Sequence, residues 1–389
     1  MTAPAPTLAA DGSSAITVQD AQAAGARLLW RDEVAHMVPR AGLHLTDLRR
    51  PESPEFEDTT RSEWITRIAR RYDAPVTARD DCLFEGQGYA MYRGQIWSDA
   101  TAIDHTFHPR LRDKLPLEHE GMTRLLGKNA QDAPEGSAMY FQKPGTGNYF
   151  HWMIECLPRL HLLNDPQLAA RVDHILLHFT QMPGFVTDSI NEFFPHLMDR
   201  LLQVSKALVR PDRLCFLTSG PRVQGTPIET RITSASAQFL SGLERPDQRG
   251  ETVIVISRAN ASNRRLVNEQ ALIDHLSARF PVKVMIGDQL GVADQRRIMG
   301  AARAVVGVHG AGLTNVMFAP RGARLIELTS GQYVNRTASF HDTALVCGVT
   351  PHLVLAEEHG DRTEVVKNVG NDLWMDPAGF DRISQLIAD

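Results

Sequence analysis

Lysine, cysteine and long apolar runs are all scarce in this chain of 389 residues, and each scarcity closes off a class of protein. No run of about 18 apolar residues occurs, so nothing reads as a membrane-spanning helix. The opening MTAPAPTLAADGSS has neither the basic nor the apolar region of a secretory leader, and a short disordered start is expected. The four cysteines, Cys82, Cys156, Cys215 and Cys347, lie far apart in no CxxC or Cys/His spacing. That argues against a metal site and for buried thiols in a reducing compartment. There is no basic excess either. Lys+Arg number 41 against 46 Asp+Glu, a net charge of −5, so no nucleic-acid partner is expected and any anion site must be local. Only six of the basic residues are lysine, and the rest are the planar, bidentate arginine. A soluble, cytoplasmic protein is the expectation.

What is present points to an α/β chain. With 43% hydrophobic residues the sequence can bury two cores, so two lobes are expected. The most telling stretch is 304–329, AVVGVHGAGLTNVMFAPRGARLIELT. An apolar strand, Ala304 to Val308, stops at His309, Gly310, Ala311 and Gly312, and a helical pattern starts at Leu313. Pro320, Arg321 and Gly322 then turn the chain into a second strand, Leu325 to Leu328. Glycine lets backbone approach a ligand closely or take φ > 0. The start of a helix offers unpaired N–H groups and the positive end of its dipole to an anion. A phosphate-bearing ligand suits such a turn; the competing reading is a plain tight turn of a parallel sheet.

A second stretch, 137–163, reads SAMYFQKPGTGNYFHWMIECLPRLHLL. A strand, Ala138 to Gln142, enters a glycine turn, and Asn148 can cap a helix that carries His151, Glu155 and Arg159 at i, i+4 and i+8 on one face. Pro158 lacks an N–H, which predicts an unpaired Ile154 carbonyl and a bend. The polar stripe is either a cleft wall or a solvated ion pair. Strands at His174 to His178, Leu201 to Val204 and Leu214 to Leu217 alternate with a helix, Val186 to Phe194, as in an α/β unit. Further on, a strand Thr252 to Ile256 ends at Ser257 and Arg258, followed by ANASNRR. Arg258, Arg264 and Arg265 therefore sit at the carboxyl end of a parallel strand, where open α/β sheets bind ligands and a guanidinium can clamp a diphosphate. An arginine-rich surface loop is the alternative. Helices are expected at Val18 to Trp30, Arg61 to Tyr72, Glu229 to Leu243, Asn268 to Phe280 and Ala293 to Ala302. A last helix begins at Asp376 and Pro377. GQGYAMYRGQIWSD reads as a hairpin, PESPEFED as a linker or surface loop, and Glu244 to Gly250 as the interdomain linker.

NYFHWMIECLPRL, VIVISRANASNRRLVNE and GVHGAGLTNVMFAPRGARLIEL, in that order, resemble the glycosyltransferase family 61 pattern. That family occurs among bacterial capsular-polysaccharide proteins and eukaryotic xylosyl- and N-acetylglucosaminyltransferases. The resemblance covers roughly residues 85–357 and not the first 60. It implies the GT-B fold, two Rossmann-like lobes with parallel sheets facing across a cleft. The implied division is a variable extension over 1–60, an acceptor-side lobe over 61–243, a nucleotide-sugar lobe over 251–375, and a helix over 376–389 that crosses back. It also implies inverting transfer from a nucleoside-diphosphate sugar, UDP being favoured, to a glycan hydroxyl in capsular or exopolysaccharide synthesis.

No cofactor is obligatory on this reading. No isolated Asp-x-Asp, the signature of metal-dependent GT-A transferases, occurs, and a divalent ion would at most stimulate release. Arg258 is expected on the diphosphate, with the amides of Gly310, Ala311 and Gly312. His309 would contact phosphate or sugar, Thr314 or Asn315 would cap the helix or touch the nucleotide, and Glu327 would accept the ribose hydroxyls. Glu155 is favoured as the base, with His151 second; Asp342 is a weaker candidate for the cleft. The partners are a nucleotide sugar and a glycan or lipid-linked glycan, the latter placing the protein at the inner face of a membrane. A sugar-nucleotide epimerase or hydrolase, or a non-catalytic nucleotide-sugar-binding assembly protein, would share the same diphosphate site.

Overall fold

The computed structural model describes residues 21–22, 25–31, 37–38, 76–78, 81–92, 95–97, 102–103, 135–143, 145–205, 208–219, 231–330, 339–359 and 371–389. The expected helix Arg61 to Tyr72 and the segment PESPEFED lie outside these. The chain divides into two compact units, Met1–Ala35 with Arg79–Gln224 and Thr233–Ser236, and His36–Ala78 with Gly225–Ile232 and Ala237–Asp389. Both are α/β, with sheets rich in parallel strands.

The first unit holds a six-stranded sheet. Its strands are β1 (Arg27–Arg31), β2 (Asp81–Gln87), β3 (Ser137–Tyr140), β4 (His174–His178), β5 (Leu201–Val204) and β6 (Arg213–Ser219), in the order β1-β2-β6-β3-β4-β5. Strands β6, β3, β4 and β5 are parallel; β1 and β2 are antiparallel additions. Helix α1 (Gly184–Phe193) connects β4 toward β5. Sequential strands run one way from β3 while β6 lies on its other side, so the order reverses between β3 and β6. Such a reversal opens a crevice at the carboxyl ends of the strands. The expected helix Val18 to Trp30 fails at its second half, where Arg27–Arg31 is a strand. Gly25, at φ 82°, turns the chain, and Leu28 and Trp30 pair with Phe84 and Leu83. Tertiary pairing outweighs a weak local preference. The hairpin stands, with Ala90–Tyr92 antiparallel to Gln95–Trp97.

The second unit holds five parallel strands, β7 (Thr252–Ile256), β8 (Val282–Met285), β9 (Ala302–Val308), β10 (Arg324–Thr329) and β11 (Thr350–Leu355), in the order β8-β7-β9-β10-β11. Here the order reverses between β7 and β9. Val253, Val255, Val306, Ile326 and Leu328 form the core with Leu272 and Leu276 of α3 (Glu269–Ser277). Helix α2 (Ser234–Gly242) starts in the first unit and ends in the second. The segment Glu244–Gly250, read as a linker, is bonded to the second unit: the Pro246 carbonyl accepts from Arg321 N–H at 3.1 Å, and Gly250 N–H donates to the Ala302 carbonyl at 3.1 Å.

Three further helices follow in this unit, α4 (Val292–Met299), α5 (Ser339–Val346) and α6 (Pro377–Ala388). Asp376 caps α6 through Ala378 N–H at 2.8 Å. Its stripe Phe380, Ile383 and Ile387 is buried in the second unit's own core, each such side chain stabilising by about 1.5–3 kcal/mol. Arg303 Nε donates to the Ile387 carbonyl at 3.1 Å and Arg324 donates to that of Leu386. Helix α6, expected as the C-terminal helix over 376–389, thus packs on the sheet of its own unit.

Candidate active site

Two polar clusters stand at carboxyl ends of strands, one in each unit. In the first unit β3 runs into Phe141, Gln142 and Lys143. Gln142 is buried, donates to Thr146 Oγ1 at 3.2 Å and accepts from His178 N–H at 2.5 Å, fixing the turn. Gly145 is at φ 87°, and a Cβ there would lie 3.2 Å from the His151 ring, so a side chain at this position would press on the imidazole. Asn148 caps as its position predicts, accepting from Phe150 N–H at 2.9 Å.

The segment that follows is no ordinary α-helix. His151–Cys156 is a π-helix and Leu157–Asn164 a 3₁₀-helix, so the hydrogen-bond spacing changes next to Pro158. The Ile154 carbonyl, expected to go unpaired, accepts from the Ser236 hydroxyl. Arg159 leaves the stripe predicted for it. Its side chain is buried, with Nη1 donating to the Phe141 carbonyl at 2.9 Å and Nη2 3.0 Å from Asp81 Oδ1.

His151 and Glu155 remain together. The imidazole Nδ1 meets Glu155 Oε2, while Glu155 Oε1 lies 3.6 Å from Lys143 Nζ. The pair is graded in exposure: the His151 side chain is 33% exposed and that of Glu155 3%. The carboxylate is thus behind the ring, holding one nitrogen and its orientation. Neighbouring Cys156 is no nucleophile, since burial pushes its thiol up to about 12.

In the second unit β7 and β9 part at the point where the strand order reverses. Ser257 N–H donates to the Met285 carbonyl on the β8 side at 2.9 Å, and His309 N–H donates to the Leu328 carbonyl on the β10 side at 2.8 Å. Arg258 and the turn His309–Gly312 follow these two residues. Gly310 has an extended φ of 175°, so what it needs is space rather than a left-handed conformation. A Cβ at Gly310 would stand 2.1 Å from Arg258 Nη1, and one at Gly312 2.8 Å from Ile256. The glycines let the turn close onto the guanidinium and the end of β7. The helix it opens, Ala311–Phe318, is 3₁₀ rather than α.

His309 and Glu327 form a second histidine–carboxylate pair, here with both residues buried, Nδ1 to Oε1 at 2.5 Å, with Phe340 of α5 edge-on to the ring at 5.0 Å. One carboxylate oxygen of Glu327 is therefore engaged by His309. Thr314 and Asn315 are fully buried. The Asn315 amide donates to Gln295 Oε1 at 2.7 Å and to the Gly312 carbonyl at 3.0 Å, and no side chain caps the helix. Asn315 thereby ties the turn to α4. Asp342 is buried in α5, two residues beyond Phe340. Arg265 is spent on Asp372, Nη2 to Oδ2 at 2.6 Å.

Sequence reasoning passes over Lys143, Gln295 and Phe340. Lys143 carries a signal, one of few lysines and placed directly before a Pro-Gly turn; the other two enter only through tertiary packing. Among the described residues no group of three or more His, Cys, Asp or Glu is placed to hold a metal ion, and no helix is long and apolar enough to cross a membrane.

Residues 149–326 match the family model described as Glycosyltransferase 61. The span takes in His151, Glu155, Arg258 and the His309–Gly312 turn and stops one residue before Glu327. Over 81 residues the chain is 40% identical to protein O-linked-mannose beta-1,4-N-acetylglucosaminyltransferase 2 of Canis lupus familiaris, covering 20% of this chain and 13% of that protein. Over 83 residues it is 32% identical to the EGF domain-specific O-linked N-acetylglucosamine transferases of Canis lupus familiaris and Bos taurus, covering 20% of this chain and 16% of each. The matched segments are thus a minor part of those relatives' length.

Proposed function

We propose that this protein is an inverting glycosyltransferase that moves a sugar from a nucleoside-diphosphate sugar, UDP-linked, to a hydroxyl of a glycan in capsular or exopolysaccharide synthesis. The observation that carries the reading is the meeting of Arg258 with the His309–Gly312 turn where β7 and β9 part, the position at which open α/β sheets bind ligands. The family match over residues 149–326 and the names of the relatives support glycosyl transfer as the class of reaction.

On this reading the second unit binds the donor. The Arg258 guanidinium and the amides of Gly310, Ala311 and Gly312 receive the diphosphate, whose charge grows as the glycosidic bond breaks. Glu327 orients His309 toward phosphate or sugar, and its remaining oxygen accepts from the ribose. Thr314 and Asn315 act behind the turn, shaping it. The candidate base is the His151–Glu155 pair. In inverting transfer the acceptor hydroxyl attacks the anomeric carbon, loses its proton to a base and displaces the nucleoside diphosphate. His151 is the exposed member of its pair, so the imidazole takes the proton and Glu155 stabilises the imidazolium. This reading puts His151 ahead of Glu155, the other way round from the order the sequence favours. Protein donors carry the leaving charge, and a divalent ion is stimulatory at most. An acceptor on a lipid carrier would bring the protein to the cytoplasmic face of a membrane.

Calorimetry of the purified protein against UDP, GDP, CMP and their sugars, with and without EDTA, tests the donor site. Micromolar binding of one nucleoside diphosphate that survives EDTA is expected. Binding of none of them would sink the reading, and full turnover of the nucleotide sugar without acceptor would favour an epimerase or hydrolase.

A further inference from the structure

The loop that follows β7 closes back on the side chain that opens it. Arg258 Nε donates to the Arg264 carbonyl at 3.1 Å, and Nη2 donates to the Asn263 carbonyl at 3.0 Å and to Asn263 Oδ1 at 3.2 Å. Arg264 is at φ 52°, the one non-glycine residue with positive φ among the described residues. A side chain is held in that region at a steric cost, so the surrounding structure must impose it.

The next residue supplies the constraint. Arg265 N–H donates to Asp372 Oδ1 at 2.8 Å, and its Nε and Nη2 donate to Oδ2 at 2.9 and 2.6 Å. Its carbonyl accepts from Leu373 N–H at 2.7 Å, which ties the loop to the strand β12 (Asp372–Trp374). With β7 at one end and β12 at the other, the left-handed turn at Arg264 directs its carbonyl at Arg258. On the opposite side the bare Gly310 leaves room for Nη1. The acceptors from Asn263 and Arg264 are neutral oxygens. They orient the guanidinium from one side, and a carboxylate in place of Asn263 Oδ1 would compete with an anionic ligand.

We propose that Asn263 and the Arg265–Asp372 pair are positioning residues for Arg258, holding its guanidinium against the Gly310 turn in the orientation in which it meets a diphosphate. The proposal rests on the donor-site reading of the second unit. None of these residues need touch the substrate.

Two measurements on the full chain separate the proposal from that reading. Without ligand, solvent exchange of the Arg258 Nε–H is followed by NMR, the signal being assigned by its loss in Arg258→Lys. It is expected to be slow in the wild type, about tenfold faster in Asn263→Ala and Asp372→Ala, and slow in Asn263→Asp. Calorimetry with UDP and with inorganic pyrophosphate is the second. Asn263→Ala is expected to weaken binding by about tenfold. Asn263→Asp weakens it at least as much despite a protected Nε–H, because the new carboxylate opposes the anion; a role confined to loop stability would not give that result. Melting temperatures of the Asn263 variants stay at the wild-type value. Exchange unchanged in both Asn263→Ala and Asp372→Ala overturns the proposal, as does undiminished UDP binding by Asn263→Ala. If the wild type binds neither UDP nor pyrophosphate, the donor-site reading fails, and the exchange rates still decide whether these residues hold the guanidinium.

Discussion

A histidine and a carboxylate four residues apart are usually an exposed ion pair of small consequence. His151 and Glu155 differ because the carboxylate is buried and the ring is not. A buried carboxylate that faces both an imidazole and the Lys143 ammonium holds the ring in one orientation and one tautomer, as a general base requires. In steady-state assays with a competent acceptor, His151→Ala is expected to lower kcat by about 10²–10⁴-fold while the donor Kd is unchanged. Glu155→Gln keeps the shape and loses the charge, so its kcat should fall less. A larger loss in Glu155→Gln than in His151→Ala would return the role of base to the carboxylate. Unaltered kcat in both would remove the pair from the mechanism.

The element that carries this pair is itself irregular, and its irregularity is matched by a partner far along the chain. Pro158 cannot donate, and the change from π to 3₁₀ spacing strands carbonyls of the last π turn. The Ser236 hydroxyl reaches the Ile154 carbonyl from the first turn of α2, which is anchored where Ala235 N–H donates to Asp81 Oδ2 at 3.2 Å. Ser236→Ala leaves that buried carbonyl without its partner and is expected to cost about 1–3 kcal/mol in denaturant titration. A loss within error would show that water or a local shift replaces the hydroxyl. The turn His309–Gly312 is held by a comparable device, the buried Gln295–Asn315 bond from α4.

At the scale of the whole molecule, each unit carries a carboxyl that titrates below its ordinary range. Asp173 is lowered by the N–H and hydroxyl of Ser137, each 2.8 Å from Oδ2. For Asp372 burial pulls upward, but the hydrogen bonds and charge of Arg265 outweigh it and the net shift is downward. A carboxyl with a depressed folded pKa binds its proton more weakly when folded. Its contribution is therefore complete above the unfolded value of about 3.9 and drains away as the pH falls through the folded one. The urea midpoint is expected to drop as the pH falls below about 4, and Asp173→Asn and Asp372→Asn should each flatten that drop. Equal slopes in wild type and variants would remove these carboxyls as its source.

Much of this architecture was already written in local pattern. Apolar runs of strand length mark β4, β5 and β7, Asp376 and Pro377 mark the start of α6, and the three motifs locate both clusters, since strand period and cap chemistry act over a few neighbours. Tertiary structure decided the rest. It made Arg27–Arg31 a strand by pairing it with β2, laid α6 on its own sheet, took Arg159 out of the polar stripe to meet Asp81, and gave the Ile154 carbonyl to Ser236. It also chose which member of the His151–Glu155 pair faces outward and set Gly310 against Arg258. The sequence by itself determines which side chains stand at the ends of strands. Which of them are buried, and which partner each one meets, depends on residues tens to more than a hundred positions away, brought close only by the packing of the sheets.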